Sequence, residues 1–117
     1  PYTTLFRSRR LNNWNAICDS DPTRGVTEAI TRYTDNKKRI AIWIMGDDLA
    51  NNLYDDPVEA IRRVALKFNK IDDNGVPFIR IHGMAFPNNA TFYPVEFQNM
   101  LRVLASENYG AVVVESY

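Results

Sequence analysis

The chain is poor in cysteine, in charge of one sign and in long apolar runs, and each shortage excludes something. A single cysteine, Cys18, leaves no internal disulfide and no cysteine-cluster metal site. Fourteen basic residues balance fourteen acidic ones, so the basic footprint of a nucleic-acid binder is missing and no nucleic-acid partner is expected. No apolar run approaches the ~18 residues of a membrane span, so no membrane segment is expected. The one histidine, His82, has no second histidine or nucleophile near it in the pattern. A lone histidine of this kind is more often a hydrogen-bonded structural residue than a catalyst. Neither a nucleophile, base and orienter set nor a phosphate-cradling glycine loop occurs. What is present is a 45% share of apolar residues in 117, enough for the modest core of one domain.

Residues 1–8 (PYTTLFRS) resemble the in-frame translation of a sequencing-library adapter and are set apart from the fold. A frame that opens in an adapter opens where the read began, so the natural chain is expected to continue upstream. Residues 9–22 (RRLNNWNAICDSDP) show no sustained period and read as a loop or the remnant of an interrupted element. Residues 23–117 then form the C-terminal part of one domain.

From Thr23 the periodicity sharpens. Val26, Ala29, Ile30 and Tyr33 fall on one helical face, with Asp21 and Pro22 as helix-start residues. Residues 40–45 (IAIWIM) follow as an apolar run without alternation, the pattern of a strand buried on both faces. Asp56, Pro57 and Glu59 predict a second helix start close to a capping box, and Val58, Ile61, Val64, Ala65 and Phe68 are its apolar face. After an Asp-Asp-Asn-Gly turn, residues 76–86 (VPFIRIHGMAF) read as a strand. Pro94 opens a third helix whose buried side is Phe97, Met100, Leu101, Leu104 and Ala105, and Gly110 suits the left-handed position after its end. Residues 111–114 (AVVV) close the series as a strand. Alternating helix and strand predict an α/β fold with a partial doubly wound, Rossmann-like parallel sheet of three strands and three helices. Such sheets usually have five or six strands, so the fold reads as truncated.

Ligands of open parallel sheets bind outside the carboxyl ends of the strands. The residues leaving the first strand are Gly46, Asp47 and Asp48. Adjacent carboxylates at that edge suit a hard cation such as magnesium, which takes oxygen ligands, and equally suit a polar turn. One carboxylate is expected to face the site and the other to cap the loop. Thr23, just ahead of the first helix, serves either to cap it or to complete a cation shell. Asn89, Ala90 and Thr91 match a glycosylation acceptor, a triplet common by chance.

The run IAIWIMGDDL, a helix ending FNK, VPFIRIHGMAFP and a helix ending LASENYGAVVV together resemble the C-terminal half of von Willebrand factor type A domains. The nearest likeness is to the bacterial branch whose fourth strand ends in Gly-Asp-Asp. The resemblance implies a metal-ion-dependent adhesion site that binds magnesium and a protein ligand whose carboxylate completes the coordination. It assigns Asp47 as the aspartate after the fourth strand and Thr23 as the threonine before a helix. The family's Asp-x-Ser-x-Ser motif occurs nowhere here, and the resemblance places it upstream. The chain is therefore expected to be a binding module, to hold metal weakly on its own and to self-associate through an exposed sheet edge. A magnesium-dependent phosphatase of the haloacid dehalogenase type is the alternative, since GDDLANNLYDD also passes for that family's late acidic motif. A small α/β module without a ligand is a third reading.

Overall fold

Seven consecutive residue pairs, from Ile40 beside Ile79 to Gly46 beside Ala85, join the first two strands in parallel. The computed structural model describes residues 22–34, 37–49, 56–87 and 94–115. The elements run α1 (Pro22–Tyr33), β1 (Ile40–Gly46), α2 (Pro57–Phe68), β2 (Ile79–Ala85), α3 (Pro94–Glu107) and β3 (Val112–Val114). The strands form one three-stranded parallel sheet in the order β1-β2-β3. The chain is an α/β protein of the Rossmann-like kind, with strands and helices alternating as the periodicity predicts.

Each helix forms for a local reason. The Asp56 carboxylate accepts the N–H of Glu59 at 3.0 Å and Pro57 follows it, which fixes the start of α2. The Glu59 carboxylate turns to Arg63 (3.1 Å) and Arg62 (3.5 Å) and does not reach back over the cap. Ile61 and Ala65 are buried, with Val58, Val64 and Phe68 packed beside them. All five predicted core residues of α3 are buried. In α1, Val26 and Ile30 are buried, but Tyr33, its last residue, is exposed, so the buried stripe is one turn shorter than the pattern.

The sheet faces differ from the expectation drawn from the apolar run. Ile40, Ile42 and Ile44 of β1 face the helices, as do Ile79, Ile81 and Ala85 of β2. Ala41, Trp43 and Met45 point the other way and are exposed. The cause is topological: two crossovers in the same direction put their helices on the same face of the sheet. That is the arrangement on one side of the switch point in a doubly wound sheet. The core is therefore a single layer between helices and sheet, centred on Phe97, Ile61, Ile79, Ile81, Met100, Leu101 and Leu104. Each such side chain contributes about 1.5–3 kcal/mol of burial.

Among the described residues no helix is long and apolar enough to cross a membrane. Cys18, the adapter-like residues 1–8, the stretch 9–21 and the triplet Asn89, Ala90, Thr91 lie outside the described residues.

Candidate functional site

The parallel sheet has one carboxyl edge, where Gly46, Ala85 and Val114 end their strands. Gly46 is there because α3 lies close: a Cβ on it would sit 3.1 Å from Cζ of the buried Phe97. Its carbonyl accepts the N–H of Phe86 at 2.8 Å, which carries the β1–β2 pairing to the last residue of the strand. The chain then turns sharply, and Asp47 and Asp48 are both half-buried.

Asp48 accepts the backbone N–H of Leu49 at 2.8 Å. Leu49 is itself buried in the core, so Asp48 fixes the loop and anchors its exit. Asp47, the first residue past the strand, is the carboxylate at the edge itself.

Thr23 reaches the same edge by another route. The Thr34 hydroxyl, just past α1, donates to the carbonyl of Phe68 at the end of α2 at 2.5 Å. The C-terminal ends of both helices thus lie together at the amino edge, and about 16 Å of helix separates that end of α1 from its beginning. Thr23 is the second residue of α1, inside the helix and not just ahead of it as the pattern placed it, and is 4% exposed.

Asp56, Glu96 and Glu115 also sit near this edge, at the starts of α2 and α3 and after β3. The Asp56 carboxylate is committed to its helix cap, and the Glu115 N–H donates to Ala85 at 2.9 Å. Among the described residues no three His, Cys, Asp or Glu side chains gather into a cation-holding group. In donor chemistry, the Asp47 carboxylate and the Thr23 hydroxyl fit a hard cation, as part of a shell and not the whole of it.

No family model, curated protein or solved structure matches the chain. The reading of the site therefore stands on its residues.

His82 is a satisfied structural residue. Its Nδ1 accepts the N–H of Ala111 at 3.1 Å, tying the start of β3 to β2, and its ring stacks on Trp43 with centroids 4.6 Å apart and planes 18° from parallel. The stack itself escaped sequence reasoning. Its signal was the parity of both strands, since Trp43 and His82 share a face once β1 and β2 are paired in register.

Proposed function

We propose that the chain belongs to a metal-dependent protein-binding module of the von Willebrand factor type A kind. The observation that carries this reading is the position of Asp47 as the first residue beyond β1 on the carboxyl edge, next to Asp48, whose carboxylate accepts the N–H of Leu49. The buried Thr23 at the start of α1 supports it with a second oxygen donor at that edge. In this reading Asp47 and Thr23 supply part of a magnesium shell. When bound, the ion attracts the carboxylate of a protein ligand by direct coordination. The remaining ligands come from an Asp-x-Ser-x-Ser segment upstream, so this chain holds the ion weakly alone. The edge of β1 has no strand beside it among the described residues, which supports self-association through that edge.

The test is a magnesium titration of the chain extended by its upstream coding sequence. Binding that Asp47→Ala abolishes is expected; binding that survives the substitution removes Asp47 from the site. Turnover of a generic phosphomonoester dependent on Asp47 would replace the reading with the phosphatase.

A further inference from the structure

The connection between α2 and β2 carries a reactive pair of its own. Asn74 is followed by Gly75, the only Asn-Gly pair in the chain, and both residues are exposed. Asparagine is chemically labile, because its side-chain amide lies within reach of the next residue's backbone nitrogen and the two close a five-membered imide. A side chain on that next residue obstructs the approach, and glycine has none. Packing does not shield the pair either: beyond its chain neighbours, no atom lies within 4 Å of where a Cβ on Gly75 would sit.

What restrains the pair is Asp72. Its backbone carbonyl accepts the Gly75 N–H at 3.0 Å, closing a β-turn over residues 72–75, so the attacking nitrogen is engaged in the folded turn. One oxygen of its carboxylate accepts the N–H groups of Asn74 and Val76, both at 2.9 Å. Its own N–H donates to the Val76 carbonyl at 2.9 Å, and Gly75 is left-handed at φ 79°. The other carboxylate oxygen meets Arg39. Imide closure therefore needs Gly75 to leave the Asp72 carbonyl and the peptide between 74 and 75 to rotate. That motion breaks the bonds that the Asp72 carboxylate makes.

We propose that Asn74 is a self-modification site, converting to isoaspartate and aspartate through an imide with Gly75 at a rate set by the Asp72 hydrogen bonds. The Gly75 nitrogen bonds to Cγ of Asn74 and the Cγ–Nδ2 bond breaks. Nδ2 leaves as ammonia, taking the proton that Gly75 gives up. Water then adds to one imide carbonyl. Cleavage at Cγ gives aspartate, and cleavage at the main-chain carbonyl leaves the peptide linked through the side chain, as isoaspartate. No oxidant or reductant is needed. Both products place a new negative charge beside Asp72 and Asp73, and isoaspartate lengthens the turn by one backbone carbon. The site precedes β2, at the edge opposite Asp47, and needs no metal.

The experiment incubates the whole folded chain in warm, mildly alkaline buffer, then cleaves it after Lys70 and Arg80. The fragment 71–80 (IDDNGVPFIR) is followed by mass spectrometry and by labelling with an isoaspartyl methyltransferase. It is expected to gain the mass difference between an amide and an acid and to take up label at position 74, and Asn74→Gln should remove both signals. Asp72→Ala should speed the conversion about 5–30-fold, the factor expected from losing two hydrogen bonds. Asp72→Ser, whose hydroxyl accepts more weakly, should give a smaller acceleration, and it decides if Asp72→Ala does not fold. Ile61→Val loosens the buried core away from the turn and should leave the rate unchanged. A fragment that stays unmodified while the urea-denatured chain converts overturns the proposal. So does a rate indifferent to the substitutions at Asp72, or one that Ile61→Val raises as much, because global unfolding then sets it.

Discussion

The side chains of Asn69 and Asn108, 39 positions apart, meet inside the protein, the Asn69 amide donating to Oδ1 of Asn108 at 2.7 Å. Asn69 ends α2 and Asn108 follows α3, so the contact ties two helix ends together. The same Asn69 side chain accepts the N–H of Ile79 at 3.0 Å and donates to its carbonyl at 2.7 Å. β3 pairs with β2 only from Gly83 onward, leaving the start of β2 without a strand on that side. One amide side chain supplies the pairing that a strand residue would otherwise make, and Asn108 completes it by donating to Leu104 at 2.8 Å.

Removing that amide leaves buried backbone groups unpaired. Asn69→Ala is expected to destabilise the protein by about 2–4 kcal/mol, at about 1–3 kcal/mol for each buried group left without a partner. Asn69→Asp keeps the shape but sets oxygen lone pairs against the Ile79 carbonyl and Asn108 Oδ1, so at neutral pH it should cost at least as much. Denaturant melts of the two variants test this. An Asp variant as stable as the native chain would contradict the assigned donors.

The end of α3 makes a second prediction. Gly110 was expected in the left-handed conformation, but that conformation belongs to Tyr109, with φ 56°. The Gly110 N–H donates to Ala105 at 2.9 Å, the long closing bond of a Schellman motif. What requires glycine at 110 is space, since a Cβ there would lie 1.7 Å from the carbonyl oxygen of Ile81. Gly110→Ala should therefore cost more than about 3 kcal/mol or prevent folding. Tyr109→Gly, at an exposed position, should stabilise by about 1 kcal/mol by relieving the left-handed strain. Thermal melts that moved both variants in the same direction would contradict this division of roles.

Acid stability is tied to Asp72. One of its carboxylate oxygens accepts the N–H groups of Val76 and Asn74, both at 2.9 Å, and the other meets the Arg39 guanidinium. The Val76 N–H first, then Arg39, hold the carboxyl below its usual range. A depressed folded pKa gives stability that is fully present above the unfolded value and is lost as pH falls through the lowered folded one. The native chain should therefore lose stability more steeply over the acid range than Asp72→Asn. Parallel curves for the two would contradict the linkage.

The helices were legible because their apolar spacing and start residues are local. Phe97 through Ala105 needed only the 3.6-residue period, and Asp56 needed only its neighbours. The sheet was legible as strands but not as faces: IAIWIM has no alternation, so nothing in β1 alone says that Ile44 is buried and Met45 is not. That depends on which side the crossovers run. The Asn69–Asn108 contact is set by tertiary geometry and has no sequence period. Gly110 was expected at the left-handed position, which Tyr109 takes instead; its close approach to Ile81 leaves no trace in the local pattern.

The carboxyl-edge metal reading is tested most directly by paramagnetic broadening with manganese, which reports even a weak site. Titrating manganese into the chain should broaden the amide resonances of Asp47, Asp48 and Thr23 first, and Asp47→Ala should abolish that selectivity. Broadening centred on Asp72 and Asp73 at the opposite edge, or unchanged by Asp47→Ala, would contradict the account.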